Sequence, residues 1–537
     1  MRLKPVLLSV LALSMSLAPT VRANDLTAEQ KVSDLRQLTA LIKSGYGPLH
    51  YKEDMGINVD ALFAKYWPLA VMTKTNGEFY YLVRRFVAEF HDSHFGASIP
   101  TTHLASAGFT TDLVENQVVV DTVNTSVLPA DQYPIHKGDE VVSVDGKDVA
   151  KVVEGLKRYV GAGYDFTAQR TASMAVSYRA GASFPVPSGP VKFGIKDRTT
   201  GNVTEYALKW VESGDALDEF DPSHVEERQA SARNFLDISI NDYWADYAPK
   251  GERSFRCSGT TRTAIPDGAT IIMMDPFVAY YHPTEHGNVG YLRIPHYSPV
   301  NDKTGADEFD LRFKQYEYAV SVLEANTVGL IIDQDHNCGG SVDYLNRVVG
   351  LFMNQPYPGL QFQLLGTKEE YLSFKSWLDG LDSHTMEYAN LNKTLGLIQG
   401  AWQSGQFMTA QTSLTGEDLF QPNPGPRYTK PIVMLVDELS GSGGDAFPSI
   451  MQGLGRVKLM GIRTMGAGGH VEEQPDLFYS RVKLRMTKSL FFRPDGVAVE
   501  NHGAVPDYPY SPTLDDFTGE YRDFQKEYLN KLFTLLQ

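Results

Sequence analysis

Cysteine is scarce in this chain. Only two occur among 537 residues, Cys257 and Cys338, and neither belongs to a C-x-x-C pair or a Cys/His cluster. A cysteine-based zinc site is therefore excluded. The two cysteines could form a disulfide in an oxidising compartment, but two isolated cysteines so far apart in sequence do not predict one.

Long hydrophobic runs are also missing. No stretch beyond the N-terminus reaches the ~20 apolar residues that span a bilayer, so stable membrane insertion is not expected. The N-terminus itself has a basic start (MRLK), a short apolar run and the small-residue sequence VRA. This pattern predicts a signal peptide over residues 1–23, and a membrane anchor is disfavoured by the shortness of the run. The protein is expected to be exported to a periplasm or the extracellular space.

Basic residues are fewer than acidic residues. The chain carries 49 Lys and Arg against 65 Asp and Glu, for a formal net charge of −16. Nucleic acid is therefore not expected as a partner, because phosphate binding needs a basic surface. The content of 42% hydrophobic and 21% charged residues is typical of globular proteins. The length predicts two to four domains.

Residues 24–103 are predicted to form an N-terminal helical region. Thr75 and Glu78 form a capping box, and apolar residues then recur at helical spacing from Phe79 to Phe90. This helix leads into the polar corner HDSHFG, residues 91–96.

Residues 104–211 change to short alternating strands, including a hairpin around RTTGN. The segment KGDEVVSVDG resembles a strand and turn of PDZ domains, which can bind an extended peptide at a sheet edge. The alternative is another small β domain with a Gly-Asp turn. Residues 212–287 show little regular patterning and are predicted as a linker or insertion.

Residues 288–537 alternate between buried strands and helices, which predicts an α/β domain with helices on the faces of a sheet. Ligands of such sheets bind beyond the carboxyl ends of the strands. Two glycine-rich corners, GLIIDQDHNCGGS and VDELSGSGGDAF, follow strands of this kind.

The second corner has the strand-turn-helix order of a nucleophile elbow, with Ser442 at the turn. The amides of Gly443 and Gly444 lie near a helix N-terminus, where the dipole favours an oxyanion. The first corner offers further amides at Gly339 and Gly340. Each corner alone is equally typical of an ordinary glycine-rich loop, with Asp445 as a helix cap in the second.

A nucleophilic serine needs a base. His94 in HDSHFG is one candidate, and His384, in a second Asp-Ser-His tripeptide, is another. His91 and His94 could instead bind a metal, but further metal-binding partners are missing. Glu500 in VENHGAVPD could orient a base. Spacing alone does not connect these residues.

The combination of motifs resembles the S41 peptidases, which include the C-terminal processing peptidases and the tricorn core proteases. The motifs occur in the family order: FVAEFHDSHFG, a PDZ-like region, GLIIDQDHNCGG, MLVDELSGSGGDAF, VKLMGIRTMGAGG and VAVENHGAVPD. The resemblance implies a multidomain α/β fold with a core of the ClpP/crotonase-like type. It covers most of the chain except residues 212–287.

The resemblance also implies the site. The C-terminal processing branch uses a lysine base where this chain has Ala467, so a Ser/Lys dyad is not expected. The tricorn-like branch uses a Ser-His pair before the PDZ domain, here Ser93 and His94, and a glutamate that matches Glu500. His384 lies after the PDZ-like region and is expected to be a surface histidine.

The implied activity is that of an exported serine endopeptidase acting on peptides or unfolded proteins through an acyl-enzyme. Ser442 would be the nucleophile and His94 the base, with Ser93 and Glu500 as its relay. The Gly443 amide, with that of Gly339 or Gly340, would bind the oxyanion. No metal or organic cofactor is expected, and an oligomer is possible. The alternatives are a serine esterase or amidase, and a non-proteolytic binding protein on the same fold.

Overall fold

The structure is a computed structural model that describes residues 25–215, 261–299 and 307–537. The predicted signal peptide lies outside these ranges, and so does Cys257. Cys338 is disulfide-bonded, and Cys257 is the only other cysteine of the chain. Among the described helices, none combines the length and apolarity that a membrane span would need.

The N-terminal region is helical, as predicted. Its helices are α1 (Ala28–Gly45), α2 (Leu49–Asp54), α3 (Val59–Met72) and α4 (Asn76–Ala88). The Thr75 side chain accepts a hydrogen bond from the backbone N–H of Glu78, so the predicted cap begins α4. The apolar face of α4 is buried from Phe79 to Val87.

A small antiparallel sheet joins this region to the C-terminal half. Its strands lie in the order β1 (Gly96–Ser98), β19 (Lys483–Thr487) and β18 (Val471–Gln474). Gly96 pairs with Arg485 in this sheet. Leu484 and Met486 share a hydrophobic core with helices α1 and α4. The corner that carries His94 is therefore fixed against residues almost 400 positions later in sequence.

The next region is the predicted small β domain. Its main sheet has the order β3 (Phe109–Val114), β4 (Gln117–Val123), β5 (Glu140–Val144), β8 (Pro190–Lys196) and β9 (Val203–Lys209), with β6 (Lys147–Asp148) beside β5. A second sheet joins β10 (Val211–Ser213), β2 (Leu104–Ser106) and β7 (Tyr178–Ala180). The helices are α5 (Val149–Lys157) and α6 (Asp165–Met174). The predicted hairpin is the pair β8 and β9.

The core of the C-terminal half is a seven-stranded sheet. Its order is β11 (Thr270–Met273), β12 (Ala279–Thr284), β13 (Gly287–Arg293), β14 (Gly329–Asp333), β16 (Ile432–Val436), β17 (Lys458–Gly461) and β21 (Tyr508–Pro509). The pairs from β13 to β21 are parallel. A separate pair joins β15 (Gln361–Leu364) and β20 (Ser489–Phe492).

Helices complete the α/β domain. They are α7 (Phe309–Asn326), α8 (Val342–Val349), α9 (Lys368–Asp379), α10 (Met386–Ser404), α11 (Gly443–Gly453), α12 (Leu514–Thr518) and α13 (Arg522–Thr534). Helix α7 buries Phe313, Tyr316, Val320 and Leu323 along one face.

Residues 212–287 were predicted as a linker or insertion, and the structure describes residues 212–215 and 261–287 of this stretch. Strands β11 and β12 lie within it and form the antiparallel edge of the central sheet. Tyr280 stacks on Tyr291 of β13, with ring centroids 4.8 Å apart, so this edge is part of the core. Only four and six residues long, these strands show too little alternation for a sequence pattern to reveal them.

Candidate active site

Three neighbouring parallel strands end at the same edge of the central sheet. Strand β14 leads into the corner with Gly339, β16 into the corner with Ser442, and β17 into the segment TMGAGGH, residues 464–470. Because carboxyl ends of parallel strands share one edge, corners distant in sequence meet there.

Ser442 is the N-cap of helix α11 and has φ 58° and ψ −114°. A positive φ is uncommon for a residue with a Cβ atom and is concentrated at functional turns. The Ser442 backbone N–H donates to Asp445 Oδ2 at 2.9 Å, which holds the turn. The predicted strand-turn-helix corner is therefore present, with a strained serine at its tip.

Asp445 does more than cap the helix. Its carboxylate also accepts hydrogen bonds from the amides of Gly466, at 2.8 Å, and Ala467, at 2.9 Å, and from the Thr464 hydroxyl. Burial raises the pKa of Asp445 to about 6, although these hydrogen bonds oppose the rise. The side chain thus ties the Ser442 turn to the segment after β17.

The first glycine corner packs directly on this turn. A Cβ atom at Gly339 would lie 2.6 Å from Cβ of Ser442, so only glycine permits the approach. The Gly339 N–H donates to Asn337 Oδ1 at 2.8 Å and is thus already satisfied. Within the described ranges, the amides of Gly340 and Gly443 make no hydrogen bond. The amides of Gly340 and Gly443 are therefore unbonded donors of these two corners.

His94 follows helix α4 in the chain, and its side chain is buried. Its backbone N–H donates to Asp92 Oδ1 at 2.8 Å, and this hydrogen bond stabilises the corner of residues 91–96. Burial, reinforced by Arg485, lowers the pKa of His94 to about 4, while Asp92 and the Gly469 backbone act in the opposite direction. The imidazole is therefore neutral at physiological pH, the form that a general base requires.

Glu500 is fully buried and faces a lysine. Its Oε1 lies 2.5 Å from Nζ of Lys52, whose side chain is also fully buried, and its Oε2 accepts the Gly468 N–H at 2.9 Å. Burial and the neighbouring Asp92 raise the pKa of Glu500 to about 8, against the effect of Lys52 and Gly468. This carboxylate is poised to titrate just above neutral pH.

The segment 466–469 connects the sequence-predicted residues. Gly466 and Ala467 donate to Asp445 beside Ser442, Gly468 donates to Glu500, and the Gly469 backbone contacts the His94 ring. Four consecutive residues therefore contact the surroundings of the predicted nucleophile, the carboxylate and the base.

The predicted hydrogen bonds from His94 through Ser93 to Glu500 are not formed in this structure. Among the described residues, neither Nδ1 of His94 nor Oγ of Ser93 has a hydrogen-bond partner, and both atoms are buried. In a catalytic triad, the Nδ1–H group of the histidine donates a hydrogen bond to the orienting carboxylate. His384 lies in an exposed turn, and His91 is exposed at the surface.

Sequence reasoning missed Lys52 and Asp92 and gave Asp445 only a capping role. Asp92 Oδ2 accepts hydrogen bonds from Tyr46, at 2.8 Å, and from Thr487, at 2.7 Å. No local pattern around Lys52 marks it, because its partner lies 448 residues away. The first-turn position of Asp445 was the one visible signal, and it is equally typical of helices without a catalytic role.

Comparison with protein-family models gives two matches. Residues 288–510 match the model of peptidase family S41, and residues 103–225 match a PDZ domain. The S41 match spans the three strand-end corners and Glu500, and the PDZ match begins after the His94 corner.

The chain is also similar to known proteins and to solved structures. A protein of Chlamydia pneumoniae is 27% identical over 572 residues, covering 94% of this chain and 90% of that protein. Tricorn protease of Thermoplasma acidophilum is 24% identical over 228 residues, 42% of this chain and 15% of that protein. The structure of mature CPAF in complex with lactacystin is 23% identical with a TM-score of 0.78, covering 95% and 99% of the chains. The chain contains a peptidase S41 domain preceded by a PDZ domain, and these matches support a serine-type peptidase.

Proposed function

We propose that this chain is an exported serine endopeptidase with a tricorn-like set of catalytic residues. Ser442 is the nucleophile, His94 the general base, and Glu500, through Ser93, the group that orients the imidazole. The observation that carries this proposal is the segment 466–469, which contacts the immediate surroundings of Ser442, Glu500 and His94 in four successive residues.

The reaction is acyl transfer. His94 removes the proton of the Ser442 hydroxyl as its oxygen attacks the scissile carbonyl, and the amides of Gly443 and Gly340 hold the oxyanion. His94 then protonates the leaving amine, and water hydrolyses the acyl-enzyme. Catalytic hydrogen bonds are often long without substrate, so the unpartnered Nδ1 of His94 is compatible with this mechanism.

Covalent labelling tests the nucleophile. A fluorophosphonate probe is expected to label the wild-type protein and to leave Ser442→Ala unlabelled, because the phosphonyl group reacts with the activated hydroxyl. Ser440→Ala is the matched control, since Ser440 is in the same turn but its hydroxyl is bonded to Gln334 and Asp437. Equal labelling of Ser442→Ala and wild type would refute the assignment.

Hydrolysis of a peptide library separates the proposal from the other functions that the fold allows. Cleaved internal peptide bonds, identified by mass spectrometry, support an endopeptidase. Labelling combined with hydrolysis of esters alone would indicate an esterase, and absence of both would indicate a binding protein.

The pH profile tests the role of Glu500. If its carboxylate form orients His94, kcat/KM should rise about tenfold from pH 7 to pH 9, because a group with a pKa of about 8 is only about one-tenth ionised at pH 7. The titration of His94 does not change kcat/KM between pH 7 and pH 9, since its pKa is lowered to about 4. Glu500→Gln should be slower and should lose the rise. A wild-type profile that is flat between pH 7 and pH 9 would contradict this role.

Export to a periplasm or the extracellular space belongs to the same proposal. It is supported by the signal-peptide pattern over residues 1–23 and by the disulfide-bonded state of Cys338, which suits an oxidising compartment. N-terminal sequencing of the protein secreted by a host should find a chain that begins at Asn24.

A further inference from the structure

Three side chains with metal-binding atoms converge beside the active-site segment. Glu370, in the first turn of helix α9, meets His470 and Glu472, and one ligand atom of each lies within 4.8 Å of the others. His470 directly precedes strand β18, and Glu472 is the second residue of that strand. At a spacing of two residues in extended backbone, their side chains lie on the same face. Residues 100 positions apart in sequence thus form one cluster.

Glu370 is the unusual member of this cluster. Its side chain is fully buried, and neither of its carboxylate oxygens has a hydrogen-bond partner within the part of the chain that is described. Nε2 of His470 lies 3.4 Å from Oε1 of Glu370 and is likewise buried without a hydrogen bond. A buried carboxylate without partners is costly, whereas a bound cation would compensate its charge.

The surrounding hydrogen bonds orient these side chains as ligands. Nδ1 of His470 lies 2.8 Å from Oγ of Ser489, and that oxygen also accepts the His470 backbone N–H at 2.9 Å. A neutral ring that donates from Nδ1 to Ser489 presents the lone pair of Nε2 to the cluster. Oε1 of Glu472 accepts a hydrogen bond from the Ser373 hydroxyl at 3.1 Å. Outer-shell hydrogen bonds of this kind are typical of metal sites.

We propose that Glu370, His470 and Glu472 form a Zn²⁺-binding site that joins helix α9 to strand β18. One imidazole and two carboxylates are ligands that zinc accepts, with a fourth position left for water, whereas Mg²⁺ and Ca²⁺ prefer an all-oxygen shell. The site shares no residue with the proposed catalytic set, but His470 is near enough to His94 to act on the pKa of that imidazole, and it directly follows Gly469, whose backbone contacts the His94 ring. Bound zinc would therefore stabilise the segment that carries these contacts.

A second cluster of similar composition serves as the control. His136, Asp139 and Asp197 also approach within 4.8 Å, but their carboxylates already accept backbone hydrogen bonds. Asp139 accepts from the amides of His136 and Arg198, and Asp197 from the turn that follows it. With its carboxylates satisfied and its histidine exposed, this cluster is not expected to bind zinc.

Titration calorimetry with ZnCl₂ tests the proposal on the full chain after dialysis against EDTA. We expect one Zn²⁺ per chain, a rise in melting temperature on binding, and a dissociation constant raised at least about tenfold by Glu370→Gln or Glu472→Gln. His136→Ala should bind like wild type. Glu472 is only half-buried, so its variant tests the site even if Glu370→Gln fails to fold.

Three outcomes would overturn the site. They are no zinc binding to the wild type, binding by both glutamate variants that is as tight as binding by the wild type, and loss of binding in His136→Ala. The first would leave a charged His470 paired with Glu370 as the explanation of the cluster. Since the readouts are binding and melting temperature, they do not depend on peptidase activity and fail independently of the catalytic proposal.

Discussion

Replacing His94 by alanine is expected to lower kcat by about four to six orders of magnitude, as loss of the base does in serine peptidases. The imidazole is buried and neutral, and it contacts the segment that also binds Glu500 and Asp445. Hydrolysis of a peptide substrate identified in the library digest would measure the effect, with circular dichroism to confirm folding.

His384→Ala is the matched control for this experiment. His384 shares the Asp-Ser-His tripeptide with His94, but its side chain is exposed, and its backbone N–H is bonded only to Asp382 within its own turn. We expect its activity to equal that of the wild type. Loss of activity in His384→Ala with activity retained in His94→Ala would transfer the role of base to residue 384.

Replacing Arg170 by methionine is expected to destabilise the protein by about 3–5 kcal/mol, the usual cost of removing one partner of a buried ion pair. Arg170 belongs to helix α6 of the PDZ region and is buried. Its guanidinium forms two hydrogen bonds of 2.8 Å with Asp112 and a third, also 2.8 Å, with Glu438 in the turn before Ser442. Methionine would leave both carboxylates buried without this partner.

The same substitution should affect catalysis. Thr167 in the same helix donates to the Glu438 carbonyl at 2.7 Å, so α6 holds the turn that leads to Ser442. A displacement of this turn of about 1 Å would lower kcat by up to about a hundredfold. Urea denaturation and peptide hydrolysis would measure the two effects.

Lys192→Met provides the control for Arg170. Lys192 forms an ion pair of 2.8 Å with Glu205, but both side chains are largely exposed on the β8–β9 hairpin. Exposed pairs contribute little, so neither the urea transition nor kcat should change. An Arg170→Met protein that behaves like Lys192→Met would show that the PDZ region does not support the catalytic turn.

Local patterns predicted the secondary structure around the site well. The N-cap at Thr75, the hairpin around RTTGN and the strand-turn-helix at Ser442 are confirmed, because hydrogen bonds between near neighbours and apolar periodicity determine them. The second half of the predicted capping box differs, because the Glu78 carboxylate accepts the Lys74 N–H instead of the Thr75 N–H. Strands β11 and β12 were missed, since they are too short to show alternation and depend on pairing with β13.

The burial of charged residues could not be predicted from local sequence patterns. Lys52 resembles any surface lysine in sequence, yet it lies fully buried against Glu500. Glu370 is likewise one of two adjacent acidic residues at the start of α9, and its burial depends on the packing of the helix against the segment that carries His470. Whether a charged residue is exposed or enclosed depends on distant elements, so local sequence does not determine it.

The sequence by itself determined the helical N-terminal region, the alternation of strands and helices from residue 288 onward, the glycine corners and the family resemblance, since these depend on residues within a few positions of one another and on motifs in a characteristic order. Tertiary structure alone decided that residues 466–469 link the surroundings of Ser442, Glu500 and His94. It also decided which glycine amides stay unbonded and which carboxylates are buried. The physical reason is that parallel strands end at one sheet edge and bring distant segments together, and only their packing sets the local dielectric and the hydrogen-bond partners.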